Sequence, residues 1–318
     1  MNDLVNGMLV QHTSLGVGRV VALEPNAVHV FFTGGDARFA TKLRLPMALP
    51  MLQPAAGPDA WLSGLPGFAL DAKTGRYGLG GTAWLSHAEA VERFVAVFPE
   101  GFEDPAYLAD GPGKRERASH WRRAQATYAE TLGGGEGERL LAAGDLGGLA
   151  ERALRVERHV RSLQRDPEKV SFQGALRNLE ATRPYFAALF ELLAAEAPDE
   201  ARFEALAAAV ATMMPDAPPE ARWPIVTLLP FVARPDLHLQ LRPKVACIAA
   251  QRLALELAYQ ATPSWRTYSA LLASAGGLLE RLRPLGARDL VDVESFLQVV
   301  TTKPSRPKVP KAPLRLVT

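Results

Sequence analysis

The apolar residues of this 318-residue chain change their spacing once, and the change separates a strand-forming beginning from a helical remainder. Over residues 7–52 the pattern alternates, and its clearest run, Val28–Phe32, is rich in β-branched and aromatic residues. Glycine-rich turns at 16–18 and 33–36 separate the runs. Four or five short strands with tight turns predict a small closed barrel over residues 1–52, because closure removes the unpaired edges that a flat sheet of this size would expose.

From Ser86 onward the apolar residues recur at helical spacing. Ser86 and Glu89 form a capping-box pattern, and proline, glycine or aspartate marks each later join. We therefore expect an α+β multidomain chain that is mainly α, with an irregular all-α domain over residues 86–302. The pattern leaves open a division of that domain into two subdomains near 86–143 and 144–302. The predicted helices are 86–98, 116–131, 145–163, 168–178, 183–195, 200–213, 220–233, 243–259, 264–282 and 288–301.

Two further segments carry little apolar periodicity. Residues 53–85 are rich in proline and glycine, so we predict a linker that leads into an irregular segment. Residues 303–318 combine prolines with lysines and arginines and contain no acidic residue. Because proline cannot continue a helix, this basic, proline-rich tail is expected to be extended and disordered.

Charge and cysteine content narrow the cellular setting. The formal net charge is only +2, so overall charge gives no argument for a nucleic-acid partner. The one cysteine, Cys247, excludes a disulfide framework and fits a reducing compartment. No basic segment followed by an apolar core comes after Met1, and no apolar run is long enough to span a bilayer. We therefore expect a cytoplasmic protein with neither a leader nor a membrane span.

A motif in the first strands resembles known docking modules. It consists of the segment Gly7-Met8-Leu9-Val10-Gln11-His12, followed by Leu15-Gly16-Val17-Gly18-Arg19-Val20-Val21. Over about residues 5–52 the chain resembles the Tudor/SH3-like C-terminal domain of bacterial superfamily-one helicases. It is also similar to the RNA-polymerase-interacting domains of CarD-type regulators and transcription-repair coupling factors. The resemblance implies a barrel that binds another protein or nucleic acid. The chain has no Walker A motif, so no ATPase is implied.

The helical remainder has a weaker resemblance. The strings Trp223–Phe231 and Pro263–Tyr268 look similar to a family of bacterial proteins with no assigned activity. This likeness implies no substrate, cofactor or reaction. Function in this part of the chain must be inferred from its charged residues.

The barrel offers one set of candidate contact residues. Adjacent residues of a strand point to opposite faces, so one of Phe31 and Phe32 should face outward. His12 and His29 have no metal-ligand partner at suitable spacing, so we expect surface or half-buried histidines rather than a metal site. The predicted binding residues of the barrel are His12, Arg19, Phe31, Phe32, Arg38, Lys42 and Arg44.

A second candidate set is basic and lies in the helical part. A solvated helix face would explain this cluster, and so would a surface that follows nucleic-acid phosphates. The sequence alone does not separate the two interpretations. The residues of the cluster are Lys114, Arg115, Arg117, Arg122 and Arg123.

Evidence for catalysis is limited to three carboxylates. Asp289, Asp292 and Glu294 could hold the divalent ion of a nuclease. Helix capping explains Asp289 equally well. No serine-nucleophile, zinc-finger or dinucleotide-binding motif is present, and no cofactor is predicted.

Together these patterns favour a non-enzymatic interaction protein. Its barrel would dock on nucleic acid or on a nucleic-acid-processing machine such as RNA polymerase or a helicase. The helical domain would supply a second binding surface. Two alternatives stay open: a metal-dependent nuclease that uses carboxylates near 289–294, and a structural subunit that binds protein only.

Overall fold

The residue-level description that follows comes from a computed structural model. Arg38, Lys114, Arg115, the turn at 33–36 and the tail at 303–318 lie outside the part of the chain that it describes. The described residues are 4–32, 39–59, 62–63, 65, 67–71, 75–79, 85–109, 117–160, 172–255 and 257–302. They confirm the coarse prediction of a mainly helical chain with an antiparallel sheet at its N-terminal end.

The N-terminal sheet has five strands in the order β4-β3-β2-β1-β5, and every neighbouring pair is antiparallel. A short helix, α1 (Leu45–Ala48), and a 3-10 turn, Leu49–Met51, join the two edge strands. Within the described residues no ladder joins β4 to β5, so the closed barrel stays a prediction. The strands are β1 (Leu9–His12), β2 (Gly16–Glu24), β3 (Ala27–Phe32), β4 (Thr41–Arg44) and β5 (Leu52–Pro54).

Both faces of the sheet are covered, and β3 is buried along its whole length. One face carries the apolar cluster of Val10, Val20 and Val30, which is closed by Ala48 from α1. The opposite face packs Phe31 against residues that follow the sheet in sequence and against Ala254 of the helical part. Two separate apolar layers therefore fix the register of β3, because a one-residue slip would exchange them.

Leu62, Leu65, Phe68 and Tyr77 belong to this second layer, so the described part of residues 53–85 packs on the sheet and does not form the predicted linker. Strands β6 (Phe68–Asp71) and β7 (Arg76–Leu79) pair as an antiparallel hairpin. The N–H of Ala40 donates a 2.7 Å hydrogen bond to the carbonyl oxygen of Tyr77. Each strand has only four residues, which is too short for alternation to stand out, and contacts with the main sheet decide their structure.

Gly18 packs closely against strand β3, and Gly18→Ala should lower the free energy of unfolding by about 1–3 kcal/mol. A Cβ atom at this position would lie 2.6 Å from Cδ1 of Phe32 and 2.9 Å from the carbonyl oxygen of Phe31. Urea unfolding of the full chain would measure the loss. Gly57→Ala is the matched control because a Cβ there meets nothing within 4 Å. Equal unfolding midpoints for the two variants would contradict the packing.

Several helices of the helical part begin or end where the sequence predicts, and others do not. The capping box at Ser86 is confirmed, since Ser86 and Glu89 each accept the other's backbone N–H. Helix α5 was not predicted, because the glycines before it ended the preceding pattern. The helices are α2 (His87–Val95), α3 (Pro105–Leu108), α4 (Ser119–Thr131), α5 (Glu136–Ala143), α6 (Leu146–Val160), α7 (Phe172–Ala175), α8 (Leu179–Leu193), α9 (Glu200–Met213), α10 (Pro219–Ala233), α11 (Pro243–Leu253), α12 (Trp265–Leu282) and α13 (Leu290–Thr301).

Helix α13 is the centre of the helical part. Every residue from Leu290 to Val300 is buried, and α2, α11 and α12 pack around it. Such a helix is apolar on most sides, yet α13 also buries Asp292, Glu294 and Gln298. Buried charges need partners, so these residues define a polar network inside the core.

None of the helices in the described ranges combines the length and the apolar character that crossing a membrane requires.

Candidate functional site

The two phenylalanines predicted as contact residues are both inside the protein. Phe31 is 3% exposed and Phe32 is 7% exposed. They do point to opposite faces, but the second face is covered, and the ring of Phe31 packs 5.2 Å from that of Phe68. The prediction that one of them faces outward was therefore wrong, because the covering segment was taken for a linker.

His12 has an internal role at the turn between β1 and β2. Its side chain is 4% exposed, and its Nδ1 accepts the backbone N–H groups of Ser14 and Leu15, each at 3.2 Å. The imidazole also packs edge-on against Phe32. His12 thus holds the turn and is poorly placed to contact a partner.

Arg19 is also used within the fold. Its Nη1 donates to the carbonyl oxygens of Leu62 and Leu65 at 3.0 and 3.1 Å. These bonds tie the covering segment to strand β2. An arginine held in this way supports the second apolar layer rather than an outer surface.

Of the other predicted barrel residues, Lys42 and Arg44 lie within the described ranges, and both are at the surface. Lys42 is half exposed and donates a 2.7 Å bond to Glu24, whose other carboxylate oxygen accepts from His29 at 2.8 Å. The Lys42 ammonium, with a smaller contribution from His29, lowers the pKa of Glu24. Arg44 is exposed at the end of β4, directly before α1. Within the described part of the predicted barrel set, only Lys42 and Arg44 are exposed.

An exposed apolar surface follows Arg44, and the sequence pattern does not predict it. We call residues 46–51 the turn ridge. Met47 is 70% exposed, Leu49 45% and Met51 38%, while Ala48 between them is buried in the sheet. Pro46 and Pro50 are also exposed. Residues 46–51 carry no charge and have the apolar composition of a buried segment. Composition alone therefore does not indicate that they are exposed.

A backbone hydrogen bond ties the turn ridge to the neighbouring hairpin. The N–H of Thr13 donates a 3.2 Å bond to the carbonyl oxygen of Met51. This contact holds the β1–β2 turn, with Leu15 at 40% exposure, beside the ridge. Exposed apolar side chains grouped on one surface are typical of binding sites, whereas isolated ones are common everywhere.

The basic cluster of the helical part is divided between two roles. Arg122 forms a bidentate pair with Asp289, through Nη1 at 2.6 Å and Nη2 at 3.2 Å. It therefore joins α4 to the start of α13. Arg117 and Arg123 are half-buried and lie on either side of His120.

The carboxylates considered for a metal ion are bound by other side chains. Asp292 is fully buried, and Tyr107 donates to its Oδ1 at 2.6 Å. Its Oδ2 accepts from the backbone N–H and the Nε of Arg288 at 2.8 and 3.1 Å. Asp289 caps α13 by accepting the N–H of Val291, and it pairs with Arg122. These oxygens are occupied by donors, which disfavours the metal interpretation.

Glu294 is occupied in the same way. The indole N–H of Trp121 donates to Oε2 at 3.2 Å, and Gln298 donates to Oε1 at 3.2 Å. The guanidinium of Arg242 forms an ion pair with Oε1. The described ranges contain no group of three or more His, Cys, Asp or Glu side chains placed to hold a metal ion.

One cleft of about 330 Å³ lies where the Gly133–Gly135 turn meets the ends of α8 and α10. Glu138 and Arg234 line it with opposite charges, and Arg234 is paired with Asp236. Tyr128 contributes a mostly buried ring. This mixed lining favours no single class of ligand.

Comparisons with protein-family models, with curated proteins and with solved structures found no match to the chain. The exposed turn ridge and the basic residues of α4 are thus the features from which function can be inferred.

Proposed function

We propose that this chain is a non-enzymatic, cytoplasmic interaction protein whose N-terminal SH3/Tudor-like barrel docks on a nucleic-acid-processing protein. The turn ridge is the contact surface in this proposal. The sequence resemblance over about residues 5–52 suggests RNA polymerase or a superfamily-one helicase as the partner.

The strand connections support a barrel. The chain runs from β4 through α1 and one 3-10 turn into β5, which pairs with β1. Leu43, Ala48 and Leu52 along this path pack into the same apolar cluster as Val10 and Val20. The two edge strands are thereby drawn towards each other over a shared core, as closure of a small sheet requires.

The single observation that carries the proposal is the exposure of Met47, Leu49 and Met51 on a turn whose backbone is fixed by the sheet. Burying a methionine or leucine side chain against a partner contributes about 1.5–3 kcal/mol. Methionine adapts its shape to the opposing surface, which suits a docking residue. The backbone of this turn is held by the flanking strand pairs and by the bond from Thr13 to Met51, so little backbone entropy is lost on binding.

The character of the surface favours a protein partner over nucleic acid. Binding of single strands relies on exposed aromatic rings that stack on bases, and both Phe31 and Phe32 are buried. Arg44 is exposed directly before the helix that carries the ridge. A partner with an apolar centre and acidic residues at its rim would match this arrangement.

Met47→Glu in the full chain should weaken binding to the partner at least about 30-fold, because it removes about 2 kcal/mol of apolar burial and adds an unpaired charge. Biolayer interferometry with purified RNA polymerase core enzyme, and separately with a superfamily-one helicase, measures the affinity. Leu70→Glu is the matched control, since Leu70 is 57% exposed on the separate hairpin.

Two outcomes would contradict this proposal. One is an equal loss of affinity for the Met47 and Leu70 variants. That result would mean that the added negative charge weakens binding wherever it is placed. The other is binding of duplex DNA with the same affinity as the enzymes, together with no effect of Met47→Glu. Thermal unfolding of each variant serves to exclude a folding defect.

A further inference from the structure

Basic side chains meet along one side of α4 where it packs on α6. Arg117 precedes the helix, His120 and Arg123 follow at intervals of three, and Thr127 comes one turn later. Such spacing keeps successive side chains close on a helix surface. His159 of α6 completes the group, because its Nε2 lies 2.9 Å from Oγ1 of Thr127.

Two nitrogens of this group have no partner. The Nε of Arg117 and the Nε2 of His120 are buried, and neither forms a hydrogen bond. Buried polar atoms are nearly always hydrogen-bonded, so such an atom in a native structure calls for an explanation. A bound acceptor that is not part of the chain would satisfy both nitrogens.

The charged groups that act on His120 are all basic. Burial lowers the pKa of His120, and the charges of Arg123, Arg117 and His159 lower it further. Burial and Arg123 lower the pKa of His159 in the same direction. Arg123 also takes part in another interaction within the chain, so the site depends chiefly on Arg117 and His120. An anion beside these groups would offset their mutual repulsion.

We propose that Arg117, His120, Arg123 and His159 form a binding site for a phosphate group. Guanidinium groups present several N–H donors in a geometry that matches phosphate oxygens, and imidazoles add a donor at short range. The phosphate could belong to a nucleic-acid backbone or to a small phosphorylated molecule, and both present the same oxygens. This site lies on the helical part and is independent of the turn ridge.

Titration of the full chain with inorganic phosphate tests the site itself. We expect the ring resonances of His120 and His159 in the NMR spectrum to shift with saturation and their pKa values to rise. Arg117→Gln should weaken phosphate binding about tenfold, while Arg117→Lys retains part of it. Arg155→Gln on α6 is the control, since it removes one positive charge from an exposed arginine paired with Glu151.

Fluorescence anisotropy with a short DNA and a short RNA identifies the source of the phosphate. If the ligand is a nucleic-acid backbone, Arg117→Gln will weaken binding of every sequence and reduce the salt slope by about one. Phosphate binding without oligonucleotide binding also supports the site and indicates a small phosphorylated ligand. If the histidine resonances do not respond to phosphate, or if Arg117→Gln and Arg155→Gln behave alike, the proposal is overturned.

Discussion

Asp292→Ala will lower the free energy of unfolding by about 1–3 kcal/mol, which is the range for leaving buried hydrogen-bonding groups without their partner. Asp292 is fully buried at the centre of the helical part and accepts hydrogen bonds from Tyr107 and Arg288. Its removal leaves the Tyr107 hydroxyl and the Arg288 guanidinium without their acceptor, and it removes a second carboxylate near Arg122. Burial and the Asp292 charge both raise the pKa of Tyr107, so the hydroxyl remains a donor.

Urea unfolding of the full chain, followed by circular dichroism, measures this loss. Asp216→Ala is the control, because Asp216 is exposed and an exposed aspartate should contribute less than about 0.5 kcal/mol. A double-mutant cycle with Tyr107→Phe separates the hydrogen bond from the ion pair. A loss below about 1 kcal/mol would show that the network is not needed for stability. In that case a functional role for the carboxylate would have to be reconsidered.

The second large effect is on the pH dependence of stability, and it comes from His238. This residue is 1% exposed, and its Nδ1 lies 3.1 Å from the hydroxyl of Tyr268. Burial raises the pKa of Tyr268, so its hydroxyl stays protonated and can donate to Nδ1 of a neutral imidazole. Burial, with a smaller effect of Arg234, lowers the pKa of His238 to about 4, while Asp236 opposes the shift.

A histidine with a lowered pKa stabilises the fold most at high pH. The unfolded chain binds the proton near pH 6.5, and the folded chain does not bind it until about pH 4. The contribution is therefore complete above pH 6.5 and is lost as the pH falls through this window. We expect a loss of about 2 kcal/mol between pH 7 and pH 5, and of about 3 kcal/mol by pH 4.

His238→Gln should remove most of this pH dependence, because glutamine does not titrate and can still accept a hydrogen bond from Tyr268. Urea midpoints of both chains, measured from pH 7 down to pH 5, give the difference. His120 and His159 also have lowered pKa values and leave a smaller slope of the same sign in the variant. Parallel curves for the two chains would contradict the assignment to His238.

The elements governed by local physics could be predicted from sequence. The change in apolar spacing predicted which part of the chain is sheet and which is helix. Ser86 predicted the start of α2, and helix α9 has the predicted limits of 200–213. Each of these depends on residues within one or two turns of each other. Local spacing therefore carries the information that these elements need.

The wrong predictions concern residues whose structural partners are distant in sequence. The partner of Asp292, Tyr107, lies 185 positions away, so spacing along α13 could suggest a metal site but not an ion-pair network. One of Phe31 and Phe32 was predicted to face outward, because the hairpin that covers Phe31 has no strong strand pattern. The turn ridge was missed for the opposite reason, since Met47, Leu49 and Met51 have the composition of a core and only the fold exposes them.

Amide hydrogen exchange of the full chain, with and without purified RNA polymerase core enzyme or a superfamily-one helicase, tests the docking surface most directly. The proposal predicts slower exchange in residues 44–52 and in the neighbouring turn that carries Leu15 on binding of one of these enzymes. The amides of β3 should be unchanged, because they are already buried. Slower exchange confined to the helical part, with none in residues 44–52, would contradict docking through the turn ridge.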